Sequence, residues 1–180
     1  MNRAELEHII RASSGITGQS DIVVIGSQAV LGQFPHPPPA LTISMEADVF
    51  PRARPDLAIQ IDGAIGERSM FHDTFGYYAR GVAEDTAKLP PGWEARLIPI
   101  RNENTGGTTG WCLEVQDLAA AKLAAGREKD LNFVAILIGK KMISPDTLRL
   151  RVSALSLAPD HQASVVARLE RLLGTAESRS

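Results

Sequence analysis

Apolar residues recur along the chain with two different periods. In the first part, short apolar runs such as residues 22–25 are bounded by glycine, serine and proline, as is typical of buried strands. From residue 116 onward, apolar residues repeat every three or four positions, which is the spacing of amphipathic helices. We therefore expect an α/β (α+β) fold, with a small mixed sheet flanked by helices and a helical C-terminal segment.

The same pattern predicts individual elements. Pro99 favours a sheet edge for its strand, because proline cannot donate to a ladder, and Pro55 suits the first position of a helix. The predicted domains are an α/β domain over residues 1–115 and a helical segment over 116–180 packed on it. Strands are predicted over residues 22–25, 44–49, 95–100 and 111–115 and within 69–82; helices are predicted over 2–13, 55–65, 115–125, 127–138, 144–155 and 159–174.

Composition narrows the class of protein. The 180 residues carry a net charge of −2, so the overall field does not attract nucleic acid. No uncharged apolar run approaches the length of a membrane span, and the N-terminus has no secretory core, so we expect a cytoplasmic protein without membrane contact. Cys112 is the one cysteine, which excludes an internal disulfide and predicts a packed thiol.

Two carboxylates mark the candidate site. Glu46 and Asp48 lie two residues apart on a predicted strand, so their side chains share one face about 6.5–7 Å apart along the strand. Paired carboxylates repel unless a cation joins them, and hard oxygens favour Mg²⁺ (or Mn²⁺). The first strand ends at Gly26-Ser27, a small-residue bend. The alternative for the pair is the solvated face of an antiparallel strand.

Three sequence blocks carry a family resemblance. VVIGSQAVLG followed by SMEADV resembles the DNA polymerase β-like nucleotidyltransferase superfamily, in which a strand ending in Gly-Ser precedes a strand bearing acid-x-acid. Downstream, LEVQDLAAAKLAAGREKDLNFVAIL resembles the Lys-x-x-Ala … Arg-x-Lys-Asp motif of AbiEii-type toxins, a branch found in bacterial toxin–antitoxin systems. The match is closest to an uncharacterised bacterial branch of that group and covers residues 22–138.

The resemblance implies an activity and its residues. It implies transfer of an NMP unit from an NTP to an RNA (tRNA) or protein acceptor, by a toxin that an antitoxin partner would restrain. Mg²⁺ or Mn²⁺ would bind Glu46 and Asp48. The implied catalytic residues are Glu46, Asp48, Lys122 and Asp130, and the implied NTP-binding residues are Gly26, Ser27, Lys122, Arg127 and Lys129.

The chain departs from the superfamily pattern in two ways. The third carboxylate expected on a later strand is missing from residues 95–100, and Glu114 near the next strand is one replacement. Glu46 stands where aspartate is commoner, which lengthens the ligand arm by one carbon. These departures leave a second function open, a non-catalytic member that binds a nucleotide or a partner. Similarly, the run over residues 127–130 is either part of the site or a solvated helix turn.

Overall fold

A computed structural model describes residues 1–177 as two compact units. Unit 1 consists of Met1–Thr86 and Arg96–Glu114, and unit 2 consists of Ala87–Ala95 and the chain from Val115 onward. The last three residues of the predicted segment over 116–180 lie outside the described residues. The predicted packing of that segment on the α/β domain stays a prediction.

Unit 1 is built on a mixed sheet, which confirms the predicted fold class. Within residues 1–177 the sheet has five strands in the order β3-β2-β1-β5-β4. Strand β1 pairs antiparallel with β2 and parallel with β5, β2 pairs parallel with β3, and β4 pairs antiparallel with β5. Pro99 lies on the edge strand, as predicted. The strands are β1 (Asp21–Val24), β2 (Glu46–Pro51), β3 (Tyr78–Gly81), β4 (Ile98–Ile100) and β5 (Thr109–Cys112).

Strand β2 is shorter than predicted at its start. It begins at Glu46, so Ser44 precedes it, and the prediction that Ser44 lies on this strand is wrong. The Ser44 hydroxyl accepts a hydrogen bond from Glu46 N at 3.1 Å. Serine side chains bond to nearby backbone groups in this way and so compete with strand pairing.

Helices α1 (Arg3–Thr17) and α3 (Ala58–Ile65) lie on one face of the sheet. A Cβ on Gly110 would lie within 3.0 Å of Ile10 Cγ1, and a Cβ on Gly81 would overlap the carbonyl oxygen of Ala58, so these glycines let α1 and α3 approach closely. Side chains alternate between faces, so Glu46 and Asp48 lie on the opposite face. The helices are α1 (Arg3–Thr17), α2 (Val30–Gln33), α3 (Ala58–Ile65) and α4 (Met70–Phe75).

Helix α1 passes its predicted end at residue 13. It starts with a capping box between Asn2 and Glu5 and stops where Gly18 takes the left-handed conformation, with φ of 66°. Ser14 and Gly15 therefore lie inside the helix, and the predicted end at residue 13 is four residues too early. A mid-helix glycine costs only about 1 kcal/mol, and the buried stripe of α1 outweighs that cost.

Cys112 is packed inside unit 1, as predicted. It is fully buried, and a Cβ on Gly32 of α2 would lie 2.9 Å from its Sγ. Burial raises the pKa of the Cys112 thiol to about 12, so the thiolate is suppressed at neutral pH.

Unit 2 contains the four predicted C-terminal helices. Their apolar stripes form its core, including Leu118, Val134, Leu148 and Leu169, each at most 2% exposed. The last helix passes through Gly174, so the predicted stop there is wrong. The helices are α5 (Val115–Ala125), α6 (Glu128–Gly139), α7 (Pro145–Ser153) and α8 (Pro159–Glu177).

None of the helices over residues 1–177 is both long enough and apolar enough to cross a bilayer.

The buried carboxylate of Glu7 connects α1 to the turn before β5 through hydrogen bonds. Glu7, which is 4% exposed, accepts hydrogen bonds from Asn102 Nδ2 at 2.8 Å and Asn104 Nδ2 at 2.9 Å. Arg3 Nε donates a third at 2.9 Å. Burial alone would raise the pKa of Glu7, but these hydrogen bonds outweigh burial and hold the pKa below its usual value of 4.5.

We predict that Glu7→Gln lowers the free energy of unfolding by about 2 kcal/mol at pH 7, because hydrogen bonds to a charged acceptor are lost. A lowered folded-state pKa gives stabilisation that is complete above the ordinary pKa and is lost as pH falls through the folded value. In urea unfolding, the difference from wild type should therefore shrink in acid. The exposed Glu84→Gln serves as control, and a difference that grows in acid would contradict the assignment.

Candidate functional site

Asp48 and Gly26 are in direct contact at the end of β1. Ile25 N donates to Asp48 O at 3.1 Å, so the pairing of β1 and β2 continues one residue beyond β1. A Cβ on Gly26 would overlap Asp48 Oδ2 and lie 2.9 Å from its Cγ. The backbone of Gly26 is extended, with φ of −80° and ψ of −169°, which other residues also adopt. Glycine is therefore required here for space, and the Asp48 carboxylate fills that space.

The residues after the bend form a short turn of helix. Ser27 is half-buried and begins a 3₁₀ turn, Ser27–Ala29, that leads into α2. The next residue, Gln28, is fully buried, and its Nε2 donates to Ser44 O at 3.1 Å. Gln28 thus ties the bend to the segment that enters β2. The sequence signal that could have indicated this role is a polar residue directly after the Gly-Ser pair.

Glu46 is held by two side chains of β3. The parallel register pairs Glu46 with Tyr78 and Asp48 with Arg80, so all four side chains share one face. Tyr78 Oη donates to Glu46 Oε2 at 3.1 Å, and Arg80 Nη1 lies 4.0 Å from Glu46 Oε1. Burial, with the hydrogen bond to Glu46, raises the pKa of Tyr78 to about 12, which keeps its hydroxyl a donor. Neither Tyr78 nor Arg80 was predicted from the sequence as a site residue.

The site offers a metal ion two carboxylates. Across residues 1–177, no group of three or more His, Cys, Asp or Glu side chains could hold a metal ion, so Glu114 does not complete a three-acid cluster with Glu46 and Asp48. Mg²⁺ in nucleotide-dependent sites is commonly bound by one or two carboxylates, with substrate phosphates and waters as its other ligands. The two carboxylates therefore fit a metal that arrives with its nucleotide.

The downstream motif forms a buried ionic cluster in unit 2. Lys122 Nζ donates to Asp130 Oδ1 at 2.9 Å, and Arg127 Nε donates to Asp130 Oδ2 at 2.6 Å. Asp130 is 1% exposed, whereas Lys129 lies on the surface. The structure thus brings Lys122, Arg127 and Asp130 together and leaves Lys129 apart. The alternative of a solvated helix turn over residues 127–130 is therefore wrong for Asp130, because its carboxylate is buried and bound by Lys122 and Arg127.

The pKa shifts in this cluster follow from burial and pairing. Burial lowers the pKa of Lys122, and Asp130 opposes that shift without cancelling it. Burial alone would raise the pKa of Asp130, but the hydrogen bonds from Arg127 and Lys122 prevail and the pKa falls. Lys122 Nζ also lies 4.4 Å from the ring centroid of Phe133, a cation–π contact. Asp130 is therefore the carboxylate that compensates a buried ammonium.

We predict that Gly26→Ala lowers the free energy of unfolding by about 1–3 kcal/mol, because the new methyl group overlaps the Asp48 carboxylate. Gly63→Ala is the matched control, since a Cβ there has no atom within 4 Å and alanine favours the helix. Urea unfolding of both variants measures the difference. A Gly26→Ala protein as stable as wild type would show that the contact with Asp48 is loose.

We predict that Asp130→Ala destabilises the protein by about 3–5 kcal/mol, because it leaves a buried lysine without its compensating charge. Lys129→Ala, which changes an exposed side chain next to Asp130 in the sequence, should stay within about 0.5 kcal/mol of wild type. Thermal and urea denaturation provide the comparison. Equal stability of the two variants would mean that Asp130 does not compensate Lys122.

Comparison with known proteins gives one family. The model of a family described as "Nucleotidyltransferase of unknown function (DUF6036)" matches residues 4–162, a range that includes both the Gly26 bend and the Lys122–Asp130 cluster. No curated protein and no solved structure matches the chain significantly. The match confirms the predicted nucleotidyltransferase relationship, while the relationship to AbiEii-type toxins stays a prediction. Because most of the chain is matched, the protein belongs to this family of nucleotidyltransferases of unknown function.

Proposed function

We propose that the protein is a metal-dependent nucleotidyltransferase that transfers an NMP unit from an NTP to a hydroxyl group of an RNA (such as tRNA) or protein acceptor. Family membership supports nucleotidyl transfer in general. The observation that carries the finer proposal is the contact between the Asp48 carboxylate and Gly26 at the end of β1. It joins the acid pair and the Gly-Ser bend in one site.

Glu46 and Asp48 are the residues that would hold Mg²⁺ or Mn²⁺. A bound divalent cation supplies charge neutralisation at the phosphates during transfer. In the reaction the acceptor hydroxyl forms a bond to the α-phosphorus, pyrophosphate leaves, and the hydroxyl proton passes to solvent. The backbone after Gly26 and the Ser27 hydroxyl supply hydrogen-bond donors for phosphate oxygens.

The cations of the unit 2 cluster have a role in the same proposal. Asp130 fixes the Lys122 ammonium and the Arg127 guanidinium, and fixed cations of these two kinds bind phosphate oxygens. Lys129 adds positive charge at the surface of the same turn. The family resemblance supports assigning Lys122, Arg127 and Lys129 to phosphate binding, with Asp130 as the residue that positions the first two.

The resemblance to AbiEii-type toxins supports a biological setting for this reaction. A cytoplasmic toxin that modifies RNA or protein would be restrained by an antitoxin partner. The alternative function is a non-catalytic member that binds a nucleotide or a partner protein. The lack of a three-acid metal group over residues 1–177 favours that alternative.

We predict that the protein transfers ³²P from α-labelled NTPs to total cellular RNA or total cellular protein in the presence of Mg²⁺ or Mn²⁺. Asp48→Asn and Glu46→Gln should each lower the labelling rate by about 100-fold or more, because metal coordination contributes several kcal/mol to transition-state stabilisation. Asp73→Asn and Glu84→Gln change exposed carboxylates of unit 1 and serve as matched controls that should label at the wild-type rate.

Two outcomes would overturn parts of this proposal. Labelling that persists in both Asp48→Asn and Glu46→Gln would show that other residues carry the reaction. NTP binding by wild type without labelling of either acceptor would favour the non-catalytic alternative.

A further inference from the structure

Arg80 lies beside the two carboxylates on the exposed face of the sheet edge. In the parallel register of β2 and β3 it stands opposite Asp48, and neighbouring strands are about 4.8 Å apart. Its Nη1 lies 4.0 Å from Glu46 Oε1. A single guanidinium is therefore within reach of both acids.

The pairing of Arg80 with Glu46 is loose in comparison with the cluster of Lys122, Arg127 and Asp130. The Arg80 and Glu46 side chains are 58% and 30% exposed, and their distance is at the limit for an ion pair. In contrast, Asp130 is 1% exposed and lies 2.6 Å from Arg127. Exposed and distant pairs contribute little to stability, so a divalent cation can displace Arg80 from Glu46 at small cost.

Tyr78 keeps Glu46 in place when Arg80 is displaced. Its hydroxyl donates to Oε2, whereas Arg80 faces Oε1. The ring of His72 packs 4.6 Å from the Tyr78 ring and supports it from α4. Because glutamate has one more rotatable bond than aspartate, this hydrogen bond restricts the longer arm of Glu46.

We propose that Arg80 is a triphosphate-binding residue of this site, and that in the metal-free protein it serves as the counter-ion of Glu46. When a divalent cation takes the carboxylates, the guanidinium turns to the phosphates, whose oxygens it binds as a planar fork. This inference rests on the proposed function, because it requires a metal ion and a triphosphate at Glu46 and Asp48. Removal of the Arg80 guanidinium should therefore strengthen binding of the divalent cation and weaken binding of the triphosphate.

The test measures the two ligands separately on wild type, Arg80→Gln, Arg80→Lys, Arg54→Gln and Asp48→Asn. Mn²⁺ binding is followed by the electron paramagnetic resonance signal of the free ion, and Mg²⁺-loaded inorganic triphosphate is titrated by calorimetry. Inorganic triphosphate isolates phosphate binding from any base preference. Arg54→Gln is the matched control, because Arg54 is also an exposed arginine paired with a carboxylate, at 2.6 Å from Asp56.

We expect Arg80→Gln to bind Mn²⁺ about 2- to 5-fold more tightly, since a competing cation is removed. The same variant should bind Mg²⁺-triphosphate roughly tenfold more weakly, since a charge-assisted contact is lost. Arg80→Lys should fall between wild type and Arg80→Gln for both ligands, and Arg54→Gln should match wild type. Damage to the fold would weaken both affinities together, so the opposite signs identify the proposed role.

Two results would overturn the inference in distinguishable ways. If Asp48→Asn loses Mn²⁺ while Arg80→Gln leaves both affinities unchanged, the metal site stands and the role of Arg80 is refuted. If Asp48→Asn binds Mn²⁺ as wild type does, the metal site itself is refuted, and the inference fails with the proposed function.

Discussion

The contact between the Asp48 carboxylate and the backbone of Gly26 is the constraint on which the site depends. Antiparallel pairing extends one residue past β1, through Ile25 N and Asp48 O, and this fixes Asp48 against the bend. Any side chain at Gly26 would occupy the position of the carboxylate. The pairing of β1 with β2 thus places the Asp48 carboxylate where the chain leaves β1 and continues toward α2. This carboxylate lies on the sheet face opposite α1 and α3.

The carboxylates of Asp130 and Glu46 are held in opposite ways. Asp130 is buried and bound by Lys122 and Arg127 at short distances, an arrangement in which removal of one partner is costly. Glu46 is partly exposed, anchored by the neutral hydroxyl of Tyr78 and only loosely paired with Arg80. A carboxylate of the second kind can exchange its counter-ion for a metal at small cost. This difference supports the proposed positioning role of Asp130 and the proposed metal-binding role of Glu46.

Local signals explain what could be predicted from the sequence. A continuous apolar run predicts β1, and apolar residues at helical spacing predict the helices after residue 115. Both signals are local, and the structure has these elements where they were predicted. The helix ends predicted at residue 13 and at Gly174 are wrong because a glycine or serine signal is local, whereas continuation of a helix depends on the buried stripe around it. The ends of α1 and α8 therefore lie beyond their predicted positions.

The candidate site was predictable only in part. Glu46 and Asp48 could be placed on one face because strand alternation is a local rule. Tyr78 and Arg80 could not be assigned to them, because Tyr78 lies 32 residues from Glu46 in the chain and the register of β2 with β3 is set by tertiary packing. The burial of Asp130 is likewise a tertiary property, since the sequence of its turn also suits an exposed helix end.

The most direct test of the account is to locate the metal. Crystals grown with Mn²⁺ and a non-hydrolysable NTP analogue would be measured for anomalous scattering of manganese. The account predicts a peak at bonding distance from carboxylate oxygens of Asp48 and Glu46, with the triphosphate on the same face of the sheet. Ordered analogue with manganese bound elsewhere, and no metal at either of these two carboxylates, would contradict it.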